Sequence, residues 1–336
     1  MTRLRNVALA GAGMISLHHL RAWRSVADRV RVVGIFDPDP SRAKTRAGEF
    51  DIPTVYPDPE ALLGDAAVDI VDVASPRATH AFWVRRAVAG GKAVLCQKPL
   101  APDLEQALSL ADEIGDAVVM VHENWRFRPW YRETKAWIES GELGEIQSVA
   151  MTMHTAGLLP DEHGQRPALL RQPFFQELDR LMIAEILIHH LDVLRYLAGE
   201  MKVVAARTRS GMPVVPGEVA ACIMMETASG APATVTGSIA AAGFPPRGSD
   251  KLEITGSRAS IRFDGEKLHL LSPRTPRLVE YDPADGYQAS FDNVMAHFVD
   301  RLDRGLGFET SVADNLETLR LVEDAYRCAS LPPQRR

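Results

Sequence analysis

Over residues 6–122 short apolar runs alternate with amphipathic stretches, a rhythm that predicts strands alternating with helices. The runs at 6–10, 31–36, 70–74, 93–96 and 117–121 are largely apolar, as strands covered on both faces must be. Between them, 14–25, 41–50, 79–89 and 103–114 carry helical spacing, with Ile15, Leu20 and Trp23 marking the first. Ser41 is placed to cap the second of these helices, Gly90-Gly91 to stop the third and Pro102-Asp103 to open the fourth. Such alternation implies βαβ units, parallel pairing and right-handed crossovers.

After His122 the rhythm changes. A helix over 130–140 ends at Gly141, and a strand follows at 146–155. Residues 157–173 hold three prolines, several charges and no periodicity, and read as a loop over the functional site. Helical spacing then runs over 179–197. From 202 to 281 strand-like runs (218–227, 233–241, 252–254, Ser260–Phe263, 268–271) are separated by turn residues, which predicts a mostly antiparallel sheet. Two helices, 288–304 and Val312–Ser330, close the chain. The expected architecture is α/β: a nucleotide-binding domain over 1–122 and a substrate-binding, oligomer-forming α/β domain over 123–336.

Composition narrows the function. The length of 336 residues suits two domains, and 46% hydrophobic with 24% charged residues is the balance of a globular chain. A formal net charge of −6 leaves no basic stripe, which argues against a nucleic-acid partner. Cys96, Cys222 and Cys328 lack metal-ligand spacing and read as free thiols in a reducing compartment, with no metal site expected. The segment 1–5 is too short for a signal peptide and no apolar run reaches membrane-spanning length, so the expectation is a cytoplasmic protein without a membrane partner.

Candidate chemistry begins at Gly11-Ala12-Gly13-Met14-Ile15-Ser16, which follows a strand and opens a helix, the context of a dinucleotide fingerprint. The first glycine makes the turn and the second lets the backbone approach a pyrophosphate, so Gly11, Gly13, Met14 and Ile15 are candidate cofactor contacts. Ser16 takes the third small position; the plainer alternative for the whole motif is a tight turn. Asp37 ends the second run, where a carboxylate accepts from ribose hydroxyls and repels a 2′-phosphate, which favours NAD over NADP. Arg42 and Lys44 nearby soften that preference, and the plainer reading of Asp37 is a turn residue before Pro38. Ser75-Pro76 falls on the same edge and is a candidate for the nicotinamide half or a simple strand-ending turn.

Cys96-Gln97-Lys98-Pro99 ends the run at 93–96, at the carboxyl edge where such sheets bind ligands, so Lys98 is expected beside the cofactor. The Lys98–Pro99 bond is expected to be cis. Oxidising an alcohol with NAD requires a base for the hydroxyl proton, and burial beside a positively charged nicotinamide ring would lower a lysine into that role. His189 titrates in the right range; Glu185, four residues earlier, shares its helical face, and Asp192 is placed to fix its tautomer. The alternative for His189 is a core histidine among Ile183, Ile186, Leu191 and Leu194, while His190 faces elsewhere and is read as structural.

These motifs resemble the Gfo/Idh/MocA oxidoreductases. The resemblance is carried by the glycine loop, Asp37, Ser75-Pro76 with His80 following, Gly90-Gly91-Lys92 and Cys96-Gln97-Lys98-Pro99. It continues in Glu123-Asn124-Trp125-Arg126-Phe127-Arg128-Pro129 and Ile188-His189-His190-Leu191-Asp192, nearly the whole chain. It implies a Rossmann domain, a C-terminal domain with a large open sheet, NAD(P) chemistry on sugars or polyols, and homo-oligomers (dimer or tetramer) paired through that sheet. It also implies cofactor contacts at His80 and Gln97, and substrate contacts at Lys98, Asn124, Arg126, His154, Glu185 and His189. Arg126 is equally readable as a salt-bridge residue between domains. Trp125 and Trp130 are lesser candidates, with core packing as the default. Two departures stand out: Gln97 replaces the family's usual glutamate before Lys-Pro, and Glu185 replaces the usual aspartate four residues before the histidine. Within the family, residues 122–126 and 185–190 look most like aldose dehydrogenases of the D-apiose type. The competing readings are a glycosidase-type member that uses NAD transiently and a non-catalytic nucleotide-sensing regulator.

Overall fold

The computed structural model describes residues 4–330, so the first three residues of the segment 1–5 lie outside the description. Within the described residues the chain forms two units: 4–128 together with Tyr287–Leu319, and Pro129–Gly286 together with 320–330.

The first unit is built on a six-stranded sheet, all parallel, of β1 (Arg5–Ala10), β2 (Val30–Phe36), β3 (Thr54–Val55), β4 (Ile70–Val73), β5 (Ala93–Gln97) and β6 (Val119–His122). Its order, β3-β2-β1-β4-β5-β6, is that of a Rossmann sheet, with the direction of winding reversing between β1 and β4. The connecting helices are α1 (Ser16–Ser25), α2 (Pro40–Phe50), α3 (Pro59–Gly64), α4 (His80–Ala89) and α5 (Leu104–Ile114). The expected strands and helices are present, and β3 and α3 are additional. Asp39, not Ser41, caps α2: its carboxylate accepts from the Ser41 N–H, with Pro40 fixing the first turn. The helix expected from 79 starts with a short 3₁₀ turn at Arg77–Thr79 before α4.

Two apolar layers cover this sheet. One holds Leu9, Leu20, Ile35, Ala43 and Ala47. The other joins Val7, Trp23, Ile70, Leu95 and Met120 to Phe291, Val294, Met295, Phe298 and Val299. These last five lie on α9 (Pro283–Arg304), so most of that helix belongs with the first unit and not with the second half of the chain, where the expected division at 122/123 puts it. The reason is burial: Phe291 and Phe298 are essentially inaccessible, each contributing about 1.5–3 kcal/mol of transfer free energy.

The second unit carries α6 (Pro129–Glu139) and an eight-stranded sheet. Its strands are β7 (Ile146–His154), β8 (Met201–Arg209), β9 (Ala220–Thr227), β10 (Pro232–Ser238), β11 (Ser249–Gly256), β12 (Ser260–Phe263), β13 (Lys267–Leu271) and β14 (Arg277–Glu280). The order is β14-β13-β12-β11-β7-β10-β9-β8, antiparallel at every pairing except β7 with β10, as the turn-separated runs predicted. The segment expected to be a loop at 157–173 contains the single-turn helix α7 (Pro167–Arg171). The helix expected over 179–197 is α8 (Ile188–Ala198) preceded by a π-helical stretch at Met182–Leu187. The last helix, α10 (Val312–Ser330), matches expectation.

Candidate active site

In the first unit the carboxyl edge of the parallel sheet gathers the glycine loop, Asp37, Ser75 and Lys98. Gly11 has φ +111°, and a Cβ there would sit 2.5 Å from the Ala74 carbonyl oxygen, so only glycine lets β1 turn so close to β4. A Cβ at Gly13 would meet nothing within 4 Å, which leaves that stretch of backbone open to a ligand. Ser16 is fully buried and its hydroxyl donates to the Gly13 carbonyl at 2.6 Å, closing the loop onto the first turn of α1. Met14 is exposed at the rim and Ile15 is half-buried. Asp37 braces the loop from β2: one oxygen accepts from the Ala12 N–H at 2.7 Å and the other from the Asp39 N–H at 2.9 Å. An open backbone at a helix start, with a carboxylate at the end of the next strand, fits a dinucleotide's pyrophosphate and ribose.

The Lys98–Pro99 bond is cis, and Lys98 is half-buried directly after β5. His80 lies beneath it, almost wholly buried, with Nδ1 2.7 Å from the Pro99 carbonyl oxygen and Nε2 2.9 Å from the Ser75 carbonyl oxygen. Either neutral tautomer donates to one carbonyl, and a proton on each nitrogen satisfies both. His80 thus ties together the turns after β4 and β5, a bracing position underneath the ligand edge. The Ser75 and Thr79 hydroxyls are 2.7 Å apart, and Pro76 is exposed. Gln97 engages protein on both ends of its amide: Oε1 accepts from the Lys98 N–H at 2.8 Å, and Nε2 faces His19 Nε2 at 3.1 Å.

Asn124 and Arg126, expected against a substrate, are 3% and 4% exposed and are held by the C-terminal part of the same unit. Asn124 donates to the Ser290 hydroxyl at 2.7 Å, and Arg126 pairs with Asp314 at 2.8 Å and donates to the Glu309 carbonyl at 3.2 Å. Their burial and partners make them ties to α9 and α10. Trp125 lies under the Arg128 guanidinium, whose central carbon is 3.6 Å from the ring centroid.

The second unit holds His189, Glu185, Asp192 and His154. His189 and Asp192 are buried on α8, while Glu185 is half-buried within the π-helical stretch. The expected shared face of Glu185 and His189 therefore crosses a change of helical pitch. π-Helical turns are rare and recur at functional sites. This one has an identifiable support. Gly237 of β10 lets the sheet approach: a Cβ there would lie 2.2 Å from Met182 Cε. The buried Glu218 carboxylate accepts from the Leu181 and Ile183 N–H groups at 3.2 and 3.0 Å and from the Tyr326 hydroxyl. Tyr326 in turn accepts from the Ala184 N–H at 3.2 Å, and burial, together with the Glu218 charge, pushes its phenol well above the ordinary range. An anion at the positive end of a helix is the favoured arrangement. His190, read as structural, is fully buried: its Nε2 is 2.8 Å from the buried Asp250, which also accepts from Tyr131 at 2.9 Å. Trp130 is core, stacked on Phe263 with ring centroids 5.0 Å apart. His154 ends β7 and lies against Phe244 with ring centroids 5.0 Å apart.

Sequence reasoning missed His19, Asp72, Glu218 and Tyr326. Asp72 left one signal, a carboxylate inside the apolar run of β4; the others have none apart from their contacts. Among the described residues no cluster of metal-ligating side chains occurs, and no helix is long and apolar enough to cross a membrane.

Residues 5–124 match the profile of the Gfo/Idh/MocA oxidoreductases with an NAD-binding Rossmann fold, and residues 131–262 match that family's C-terminal domain. D-Apiose dehydrogenase from Rhizobium rhizogenes is 32% identical, covering 98% of this chain and 96% of that protein. Inositol 2-dehydrogenase from Rhizobium meliloti is 25% identical over 95% of each chain. A crystal structure of an oxidoreductase from Agrobacterium radiobacter in complex with NAD+, L-tartaric acid and magnesium superposes with a TM-score of 0.90 at 30% identity, covering 98% of this chain and 97% of that one.

Proposed function

The chain belongs to the Gfo/Idh/MocA family of NAD-dependent oxidoreductases, and from that premise we propose that it oxidises a CH–OH carbon of an aldose or polyol, with D-apiose the first substrate to test. The observation that carries this reading is the similarity to D-apiose dehydrogenase over 98% of the chain, together with Lys98 at the carboxyl edge of the parallel sheet. Bound NAD supplies the hydride acceptor. Gly11 and Gly13 would receive its pyrophosphate and Asp37 its adenosine ribose. As the C–H bond breaks and C=O forms, the hydroxyl proton leaves to His189, with Lys98 holding the developing alkoxide or passing that proton on, and Glu185 and Asp192 orienting the imidazole.

The protein is further proposed to work as a homo-oligomer paired through the eight-stranded sheet. Val204, Met224 and Leu278 support this by presenting apolar side chains to solvent along that sheet. Light scattering on the eluting protein checks it, a monomer mass being the contrary result. A spectrophotometric screen for NADH over aldoses, inositols and sugar acids tests the activity. Turnover with D-apiose or a related aldose is the expected outcome, and absence of NADH across the whole panel overturns the reading.

A further inference from the structure

From the half-buried Lys98 turn a chain of polar groups that the reaction as described does not use runs into the core. Lys98 N–H, Gln97, His19, Asp72 and Trp23 follow one another at hydrogen-bond distance. The donor and acceptor roles along this chain can be assigned from chemistry alone. A backbone N–H only donates, so the Gln97 atom 2.8 Å from the Lys98 nitrogen is its oxygen, and the opposite end of the amide is the NH₂. That NH₂ also only donates and lies 3.1 Å from His19 Nε2, so this ring nitrogen accepts and carries no proton. The ring proton is then on Nδ1, which is 3.0 Å from both oxygens of Asp72. Asp72 takes a second donor, the indole N–H of Trp23, at 2.7 Å. His19 and Asp72 are fully buried and Trp23 nearly so. The Lys98 N–H, one Gln97 amide hydrogen, the His19 Nδ1–H and the Trp23 indole N–H each meet an acceptor, and the links from Lys98 through Gln97 and His19 run in one direction to the Asp72 carboxylate, which also accepts from Trp23.

We propose that His19, Asp72 and Gln97 are positioning residues for Lys98, a one-directional hydrogen-bond relay that fixes the turn from which this lysine reaches the reacting hydroxyl. The proposal rests on the reading of Lys98 as a proton-handling residue. It also gives a physical account of Gln97. A glutamate at that position still accepts from the Lys98 N–H, but its other oxygen faces the lone pair of His19 Nε2. Two acceptors then oppose each other unless the imidazole takes up a second proton in a fully buried site. Gln97 and a singly protonated His19 are a matched pair.

The relay can be reversed by design. In Gln97→Glu with Asp72→Asn, the carboxylate introduced at position 97 accepts from His19 Nε2–H. His19 Nδ1 then accepts from the amide NH₂ introduced at position 72, and the amide oxygen there still accepts from Trp23. Every pairing is restored with the net charge unchanged. Each single variant has one mismatched link, so its kcat is expected to fall, a displacement of Lys98 by about 1 Å being worth about a hundredfold. The double variant is expected to recover towards wild type, a rescue that loss of packing alone does not produce. The companion measurement is ¹⁵N-detected histidine NMR on the full-length protein, with the His19 resonances identified by His19→Gln. The wild type should show a proton on Nδ1 only, Gln97→Glu on both nitrogens, and the double variant on Nε2 only. Additive losses in a folded double variant, or a proton on Nε2 in the wild type, would overturn the relay. The spectroscopic pattern is readable without any substrate, so an inactive panel refutes the dehydrogenase reading and leaves the relay to be decided by the NMR.

Discussion

Asp37 braces the glycine loop through the Ala12 N–H, and in the proposed NAD site its negative charge would lie where a 2′-phosphate binds. Asp37→Ser should therefore narrow the gap in kcat/KM between NAD and NADP by removing repulsion. It should also raise the KM for NAD, because the loop loses an acceptor worth about 1.5–3 kcal/mol as a hydrogen bond to a charged group. Steady-state kinetics with both cofactors checks this, and an unchanged ratio would refute it. A second residue-scale expectation concerns the thiols. Burial, with Asp72 close by, pushes the Cys96 thiol up out of the reactive range, whereas Cys222 is exposed. Alkylation followed by mass spectrometry should leave Cys96 unmodified in the native protein; rapid labelling of Cys96 would contradict its placement. At this scale the sequence carried the glycines, Asp37 and Lys98, because each sits at the end of an apolar run whose edge is defined. It did not carry His19, whose partner Asp72 is more than fifty residues away.

Among the elements, the π-helical stretch at Met182–Leu187 was illegible, because periodicity cannot distinguish it from α-helix over so few residues. Its support comes from Glu218, Gly237 and Tyr326, all distant in sequence. The strand β3 is two residues long and α3 six, too short for a period, although the Asp58-Pro59 start of α3 is a cap signal. The prediction at this scale is Tyr326→Phe. The phenol links Glu218 to the Ala184 N–H, and its loss leaves that N–H without its acceptor while removing one of the three donors to Glu218. Equilibrium urea unfolding should show a loss of about 1–3 kcal/mol, with a fall in kcat as Glu185 and His189 lose their fixed register. Stability and turnover both at wild-type values would remove the π-helix from the account.

At the scale of the molecule, the sequence placed both sheets but not the path of α9, since its apolar stripe looks the same whichever core it covers. Phe291, Val294, Met295 and Phe298 pack into the first unit's sheet. Asp303 near the end of α9 pairs with Arg5 at 3.0 Å and Arg29 at 2.7 Å. Burial alone would raise the Asp303 carboxyl, but the two arginines hold it below its ordinary 3.8. A carboxyl with a depressed folded value contributes stability above its ordinary value and loses it as pH falls through the lower one. Asp303→Asn should therefore destabilise the protein at neutral pH and flatten the decline in melting temperature below about pH 4; an unchanged acid limb would contradict that role. Lys98 and His189 are proposed to handle the hydroxyl proton of a sugar or polyol while NAD takes the hydride. The decisive experiment is the single-turnover rate of NADH formation in Lys98→Ala, His189→Ala and the double variant, with NAD affinity determined separately. Each single variant is expected to slow by about a hundredfold to ten-thousandfold, NAD to bind as in wild type, and the double variant to be little slower than the slower single. A near-wild-type rate in Lys98→Ala, or a loss explained wholly by weaker NAD binding, would contradict it.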